Sequence, residues 1–365
     1  MKLCLADGTC FFGQPFGAAR QVRGEVVFHT GMTGYVEALT DPSYRGQILV
    51  LTYPLIGNYG VCTQMQQSAQ IQVQGLIVAN YRPHRSHRQA EYTLGDWLIR
   101  AQVPALTGID TRRLVQHLRS QGTQPGVLLF QHTELSQAWA TLPHTDMQMP
   151  PNWFGNRSER LGLLGHPSVL LVDLGAKESL LRAVVACGVQ VIRQAVNEDF
   201  SAGLPDVDGF ILSSGPGDPC SYDFLLPRLA PVVARGIPLL GVCLGHQILC
   251  RFFGARTYKL PLGHRSLNQP VLDLFSGRSF MTSQNHGYAV DAASLPDVLL
   301  PWFTNLHDGS NEGVRHRERP YFSVQFHPEA HPGPNDTRFV LEDFIHQVRF
   351  FYAGKTESVP RRTSQ

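Results

Sequence analysis

The residue with the clearest chemical potential is Cys243, in the run Gly241-Val242-Cys243-Leu244-Gly245. An apolar stretch typical of a buried strand ends at this run, and a helical pattern begins directly after it. A nucleophile with a glycine two positions away on either side is typical of a nucleophile elbow, a sharp strand-to-helix turn. The helix N-terminus favours a thiolate, and its free N–H groups can hold an oxyanion. A structural cysteine beside helix-packing glycines is the alternative, but the elbow pattern favours the nucleophile.

A thiol nucleophile needs a base, and His327-Pro328-Glu329 follows a strand-like run. His327 can accept the thiol proton while Glu329 orients the ring and stabilises the imidazolium. His246 is nearer to Cys243 in the sequence, but it lies three residues into the following helix. Its side chain is expected to point away from the thiol, so we interpret His246 as structural.

Two polar segments are candidates for the rest of a site. Residues 213–219 form a glycine-containing turn after a strand, which presents backbone N–H groups at the carboxyl edge of a sheet. These groups could form an oxyanion hole or an anion site, and an ordinary loop is the alternative. The turn lacks the lysine and hydroxyl residue of a phosphate-binding loop, so we expect no nucleotide phosphate site here. Residues 282–288 place polar amides between two strand-like runs, where a plain hairpin turn is the alternative.

The second half of the chain alternates strand and helix patterns. The predicted strands are at residues 168–173, 189–192, 208–213 and 237–242, and the predicted helices are at 177–187, 223–235 and 339–352. Such alternation predicts an α/β domain with a mostly parallel central sheet and right-handed crossovers.

The first half mixes short strands with a few helices. Its predicted elements are a hairpin turn at Asp7-Gly8, strands at 24–28, 47–52 and 72–79, and a helix at 110–118 with Asp110 as its N-cap. Residues 131–166 contain several prolines and no sustained periodicity, which is typical of an interdomain connection with a short helix around 135–142. We therefore predict an N-terminal mixed α/β domain at residues 1–148 and a second domain at 167–355.

Composition excludes several classes of protein. Of the 365 residues, 43% are hydrophobic and 16% charged, which excludes a disordered chain. The net charge of +2 argues against nucleic acid and membrane surfaces as partners. No apolar run reaches the roughly 18 residues that a membrane span requires. A strand pattern begins near Met1, so we expect no signal peptide. Seven scattered cysteines argue against a disulfide framework or zinc site, so we expect a reducing, cytoplasmic location and no metal site.

Taken in chain order, the cysteine elbow, Asn285-His286-Gly287 and the His327 segment resemble class I glutamine amidotransferases. The first half of the chain resembles, more specifically, the small subunit of carbamoyl phosphate synthase. This resemblance extends from residue 3 to about residue 350. The N-terminal segments that carry this resemblance are 13–17, 24–28, 33–37, 40–44, 51–58 and 108–112. This family is expected to have an N-terminal small-subunit domain that binds a partner, followed by a glutamine amidotransferase domain.

The resemblance implies hydrolysis of L-glutamine through a cysteine thioester, with delivery of ammonia to a large subunit. In that heterodimer the large subunit uses ATP and Mg, and this chain holds no cofactor. The catalytic residues would be Cys243, His327 and Glu329. By the same resemblance, the glutamine-binding residues are Ser43, Gly215, Gly217, Leu244, Gln247, Asn285, Gly287 and Tyr288. The N–H of Leu244, with a glycine N–H of residues 215–217, would form the oxyanion hole.

The chain departs from the usual family pattern at Ser214, at Ser179 and in the segment containing Ser266. Two other functions are alternatives to the active glutaminase. One is a catalytically weakened subunit with a structural or regulatory role, and the other is a stand-alone cysteine hydrolase of the same fold. The intact set of Cys243, His327 and Glu329 favours the active subunit. The product would serve arginine biosynthesis, pyrimidine biosynthesis or both.

Overall fold

A computed structural model describes residues 1–142, 158–165, 167–198 and 205–357 of the protein. The chain divides into two compact units, one of Met1–Met147 with Leu260–Asn268, and one of Gln148–Lys259 with Gln269–Gln365. Residues 260–268, which the predicted division assigned to the second domain, therefore group with the first unit. Among the described residues, no helix is long and apolar enough to cross a membrane.

The first unit contains a mixed sheet of eight strands with order β2-β1-β8-β4-β5-β6-β7-β3. Its strands are β1 (Lys2–Leu5), β2 (Cys10–Phe12), β3 (Gln14–Gly17), β4 (Val22–His29), β5 (Gln47–Ile56), β6 (Gly75–Tyr81), β7 (Pro104–Thr107) and β8 (Gln124–Leu129). Its helices are α1 (Tyr35–Thr40), α2 (Leu94–Arg100), α3 (Thr111–Gln121) and α4 (Leu135–Thr141). Strands β4, β5, β6 and β7 pair in parallel.

The local predictions for the first unit are confirmed. Strands β1 and β2 form an antiparallel hairpin around Asp7-Gly8. The side chain of Asp110 accepts a hydrogen bond from the N–H of Arg113 at 2.9 Å and so caps α3. The short helix α4 lies where the connection was predicted to contain one; residues 143–157 and 166 of that connection lie outside the described residues.

The cysteine count argued against a disulfide framework, yet Cys4 and Cys10 are joined by a disulfide. The two residues face each other in the register of β1 and β2. The register of the hairpin brings the two thiols together. The number and spacing of the cysteines in the sequence do not reveal that register. The other five cysteines, all among the described residues, form no disulfide.

The second unit contains a sheet of ten strands with order β15-β14-β16-β17-β18-β13-β12-β10-β11-β9. Its strands are β9 (Glu159–Leu161), β10 (Ser168–Asp173), β11 (Gln190–Ala195), β12 (Gly209–Leu212), β13 (Leu239–Val242), β14 (Thr257–Asp273), β15 (Ser279–Val290), β16 (Leu299–Asn305), β17 (Asn311–His316) and β18 (Tyr321–Val324). Its helices are α5 (Glu178–Ala186), α6 (Leu226–Ala234), α7 (Leu244–Phe252) and α8 (Phe339–Glu357).

The five central strands β11, β10, β12, β13 and β18 are parallel, as the alternation of strands and helices predicted. Helices cover both faces of this centre. On one face, Val169 and Leu171 pack in a cluster with Leu180 of α5 and Phe344 of α8. On the other face, residues of β10 pack with α6 and α7. The predicted fold class is confirmed, and the antiparallel strands β9, β17, β16, β14 and β15 extend the sheet on both sides.

The polar segment at residues 282–288 is not a turn. A plain hairpin turn was the alternative interpretation of this segment, but it lies within the continuous strand β15. The strand could not be predicted because its polar side chains are buried and form hydrogen bonds inside the domain. Gln284, for example, is 1% exposed, and its amide donates to Glu312. A buried polar strand of this kind lacks the apolar alternation from which strands are predicted.

Candidate active site

Cys243 occupies a strained turn between β13 and α7. Its backbone has φ 55 and ψ −104, in the left-handed region that residues with a side chain rarely adopt. A Cβ at Gly241 would lie 2.6 Å from the carbonyl oxygen of Gly245, and one at Gly245 would lie 2.1 Å from that of Leu212. Both flanking glycines are therefore required by close packing, and the elbow predicted from the sequence is present.

Hydrogen bonds fix the elbow to the neighbouring strands. The N–H of Cys243 donates to the carbonyl of Val324 at 2.8 Å, and the N–H of Gly245 donates to the carbonyl of Ser213 at 3.0 Å. The thiol is 2% exposed and donates to the carbonyl of Asn285, with an Sγ–O distance of 3.7 Å. The site therefore holds the sulfur at a helix N-terminus, largely shielded from water.

His327 and Glu329 form a buried pair after β18. The Nδ1 atom of His327 lies 2.8 Å from Oε1 of Glu329, and the two side chains are 1% and 0% exposed. Parallel pairing of Val242 with Val324 places Cys243 and His327 beyond the ends of neighbouring strands. Nε2 of His327 has no hydrogen-bond partner among the described residues, which leaves this nitrogen available to accept a proton.

Sequence reasoning gave no role to Lys177, which the structure places beside this pair. Its Nζ lies 3.2 Å from Oε1 of Glu329 and also donates to the carbonyl of Ala330. Burial by itself raises the pKa of Glu329, but the charges of Lys177 and His327 more than offset it and lower that pKa to about 2. Glu329 is therefore a carboxylate at neutral pH. No sequence pattern links Lys177 to so distant a partner.

The predicted oxyanion turn lies at the end of β12, beside the elbow. Gly215 and Gly217 follow Ser213, whose hydroxyl accepts a hydrogen bond from the N–H of Leu174 at 2.9 Å. The side chain of Ser214, a departure from the usual family residue, is buried and donates to the carbonyl of Gly175 at 3.5 Å. These hydrogen bonds hold the turn against the end of β10 and the first turn of α7.

Several predicted glutamine-binding residues meet around Cys243. The amide of Gln247 donates to the carbonyl of Tyr288 at 2.7 Å and to Oε1 of Gln325 at 2.9 Å. Asn285 contacts the thiol through its carbonyl, and Gly287 lies between Asn285 and Tyr288 in β15. Leu244 is the first residue of α7. The assignment of these residues to glutamine stays a prediction.

Ser43, the remaining predicted binding residue, belongs to the first unit. It lies in a short 3-10 turn, Pro42–Tyr44, and its N–H donates to Oδ1 of Asp41 at 2.9 Å. Its side chain is buried, and Oγ has no hydrogen-bond partner among the described residues. Its assignment to glutamine also stays a prediction.

His246 differs from His327 in its surroundings. It is fully buried in α7, and its Nδ1 lies 2.8 Å from the hydroxyl of Ser323. Burial lowers its pKa to about 3. A histidine that resists protonation and contacts a hydroxyl group fits the structural interpretation made from the sequence.

Comparison with known proteins identifies relatives of both units. The family described as "Carbamoyl-phosphate synthase small chain, CPSase domain" matches residues 3–128. The family described as "Glutamine amidotransferase class-I" matches residues 170–347.

Curated relatives match nearly the whole chain. A carbamoyl phosphate synthase small chain from Symbiobacterium thermophilum is 43% identical, over 93% of this chain and 96% of the relative. One from Methanopyrus kandleri is 41% identical, over 95% of this chain and 98% of the relative. The multifunctional protein pyrABCN of Emericella nidulans is 41% identical over 95% of this chain, but the chain spans only 17% of that protein's length.

Proposed function

We propose a function from one established premise: this chain belongs to the family of carbamoyl phosphate synthase small chains. It is the glutamine-hydrolysing subunit of a carbamoyl phosphate synthase. The observation that carries this proposal is the strained elbow of Cys243 beside the buried pair of His327 and Glu329. A nucleophile, a base and an orienting carboxylate in this order are the parts that acyl transfer from an amide requires.

In the proposed reaction, His327 takes the proton of the Cys243 thiol, and the sulfur attacks the side-chain amide carbon of glutamine. The tetrahedral oxyanion is held by the N–H of Leu244 and a glycine N–H of residues 215–217. His327 then returns the proton to the departing nitrogen, so ammonia leaves and a thioester remains. Water activated by His327 hydrolyses the thioester to glutamate and restores the thiol.

The glutamine itself is bound by a wider group of residues. These are Ser43, Gly215, Gly217, Leu244, Gln247, Asn285, Gly287 and Tyr288. Of this group, Gln247, Asn285 and Tyr288 have contacts that support a shared site, through the Tyr288 carbonyl and the Cys243 thiol.

Ammonia released here is proposed to pass to a large subunit, which forms carbamoyl phosphate from bicarbonate with ATP and Mg. The partner is thus a carbamoyl phosphate synthase large subunit in a heterodimer, and this chain binds no cofactor of its own. The location is proposed to be cytoplasmic. The carbamoyl phosphate would serve arginine synthesis, pyrimidine synthesis or both.

The test is Cys243→Ser in the complex with the large subunit. We expect glutamine-dependent synthesis to fall by several orders of magnitude, because a hydroxyl is a far weaker nucleophile than a thiolate. Ammonia-dependent synthesis should survive, because the thiol serves only to release ammonia. Both rates are measured by carbamoyl phosphate formation.

Cys220→Ser is the matched control, since Cys220 is an exposed free cysteine. Its glutamine-dependent rate should equal that of the wild type. A Cys243→Ser enzyme that keeps more than about a tenth of the glutaminase rate would contradict the nucleophile assignment. A wild-type chain without glutaminase activity, alone or in the complex, would instead favour the structural or regulatory subunit.

A further inference from the structure

A carboxylate that the proposed reaction does not use is buried behind the glutamine-binding strand. Glu312, in β17, is 0% exposed. Its Oε2 accepts a hydrogen bond from Nε2 of Gln284 at 3.0 Å, and its Oε1 accepts one from Nδ2 of Asn305 at 2.9 Å. Burial of a carboxylate is costly even when it is hydrogen-bonded, so a buried glutamate bound by two amides calls for a function.

The orientation of the Gln284 amide follows from its neighbours. The hydroxyl of Thr282 donates to the carbonyl of Gln269 at 2.7 Å, so its oxygen is free to accept from Nε2 of Gln284 at 3.0 Å. The same Nε2 donates to Glu312. A flipped amide would set its oxygen against the carboxylate of Glu312, so Oε1 of Gln284 must face the opposite way.

Oε1 of Gln284 faces Nε2 of His286 at 3.0 Å, and Nδ1 of the same ring lies 2.8 Å from the carbonyl of Tyr288. Both partner oxygens can only accept hydrogen bonds. Both contacts are hydrogen bonds at the same time only when each ring nitrogen of His286 carries a hydrogen, that is, when the ring is an imidazolium cation. Gln284 forms hydrogen bonds with both this cation and the Glu312 carboxylate, and the two charges polarise its amide group.

The relay of Glu312, Gln284 and His286 ends at the segment that contacts the reacting thiol. The Tyr288 carbonyl that His286 binds also accepts from Gln247 at 2.7 Å, and the Asn285 carbonyl lies 3.7 Å from Sγ of Cys243. Side chains alternate along a strand, so anchoring residues 284 and 286 on one face fixes the orientation of residues 285 and 287 on the other.

We propose that Glu312 is a positioning residue for glutamine: through Gln284 it keeps His286 doubly protonated, and the cation holds residues 285–288 in their binding conformation. The inference rests on the proposed function and adds a residue to which the resemblance gave no role. Loss of the Glu312 charge should release a proton from His286 and free the Tyr288 carbonyl. Binding of glutamine should then suffer more than the chemical step.

The first measurement is steady-state glutaminase activity of the complex with Glu312→Gln, which keeps the shape of the side chain. We expect KM for glutamine to rise about tenfold or more, the effect of one lost charge-assisted hydrogen bond, while kcat stays within about threefold. Glu318→Gln, in the turn after β17, is the matched control and should change neither constant. A Glu312→Gln enzyme with unchanged KM overturns the proposal.

The second measurement is ring ¹⁵N NMR of the histidine-labelled full chain, with the His286 signal assigned by its loss in His286→Gln. The wild type should show a doubly protonated ring at neutral pH, and Glu312→Gln should show a neutral one. A neutral ring in the wild type overturns the relay. This signal does not depend on turnover, so it still tests the relay if the chain proves to lack glutaminase activity.

A second variant covers the case in which Glu312→Gln does not fold. Gln284→Met cuts the relay but leaves the Glu312 carboxylate bound to Asn305. It should reproduce the rise in KM and the neutral His286 ring. A Gln284→Met enzyme with wild-type KM and a doubly protonated ring overturns the proposal.

Discussion

The end of β18 and the first turns of α7 each bury a histidine beside the same parallel sheet. Nδ1 of His327 lies 2.8 Å from the carboxylate of Glu329, whereas Nδ1 of His246 lies 2.8 Å from the hydroxyl of Ser323. The two side chains are equally buried, at 1% and 0% exposure. A carboxylate stabilises the imidazolium that forms when a histidine accepts a proton. A hydroxyl group does not replace the hydration that a buried imidazolium loses. We therefore expect the charge of the partner, rather than proximity in the chain, to distinguish the proposed base His327 from the packing residue His246.

The largest expected effect is that of His327→Asn, which should lower kcat for glutamine hydrolysis by about a thousandfold or more. Asparagine cannot take the thiol proton or return it to ammonia. His246→Asn should keep kcat within about tenfold, because the side chain serves packing. Steady-state kinetics of both variants in the complex measure the difference. Equal losses at the two positions would remove the distinction between them.

Glu329→Gln should have a milder effect, a loss of about a hundredfold in kcat. Glutamine keeps the size of the side chain and can still orient the ring, but it cannot stabilise the imidazolium. Glutaminase assays on Glu329→Gln and His327→Asn at the same pH make the comparison. A Glu329→Gln enzyme with wild-type kcat would show that the charge of the partner does not matter at this site.

The variant Lys177→Met tests whether Lys177 compensates the negative charge of Glu329. Removing one member of a buried pair costs about 3–5 kcal/mol, because the other charge stays buried. The pKa of Glu329 should rise without the lysine, since Lys177 lowers it most. Urea unfolding at neutral pH should show the lower free energy of unfolding. Arg20→Met, which also replaces a cationic side chain but at an exposed position, is the control and should leave stability unchanged. An equally stable Lys177→Met protein would mean that His327 alone compensates Glu329.

The smallest effect concerns the pH dependence of stability. Burial lowers the pKa of His246 to about 3, so between about pH 3 and 6.5 the unfolded chain binds one proton more than the folded chain at this residue. Stability contributed by neutral His246 is therefore lost as the pH falls through this window, by about 1.4 kcal/mol per pH unit.

His246→Asn should remove that slope when urea unfolding is measured between pH 4.5 and 6. Buried His29, whose pKa is lowered to about 4, contributes to both proteins, so the difference between their slopes isolates His246. Parallel pH profiles of wild type and variant would show that His246 takes up a proton in the folded state, contrary to the contrast with His327.

The sequence by itself determined the features that depend on a few consecutive residues. The elbow could be predicted because its sharp turn excludes a Cβ at Gly241 and at Gly245, and this requirement is visible as a spacing. The Asp110 cap, the Asp7-Gly8 hairpin and the parallel centre of the second sheet were predictable for the same reason. Each depends on local backbone geometry or on hydrophobic periodicity.

Tertiary structure alone decided which distant groups became partners. Lys177 compensates Glu329, Glu312 binds Gln284, and the polar segment 282–288 became a strand, because folding brought donors and charges within hydrogen-bond distance. From the sequence alone, a polar residue is predicted to be solvent-exposed unless its hydrogen-bond or ion-pair partner is known. Buried hydrogen bonds between residues far apart in the chain leave no periodic signal, so only the folded chain identifies them.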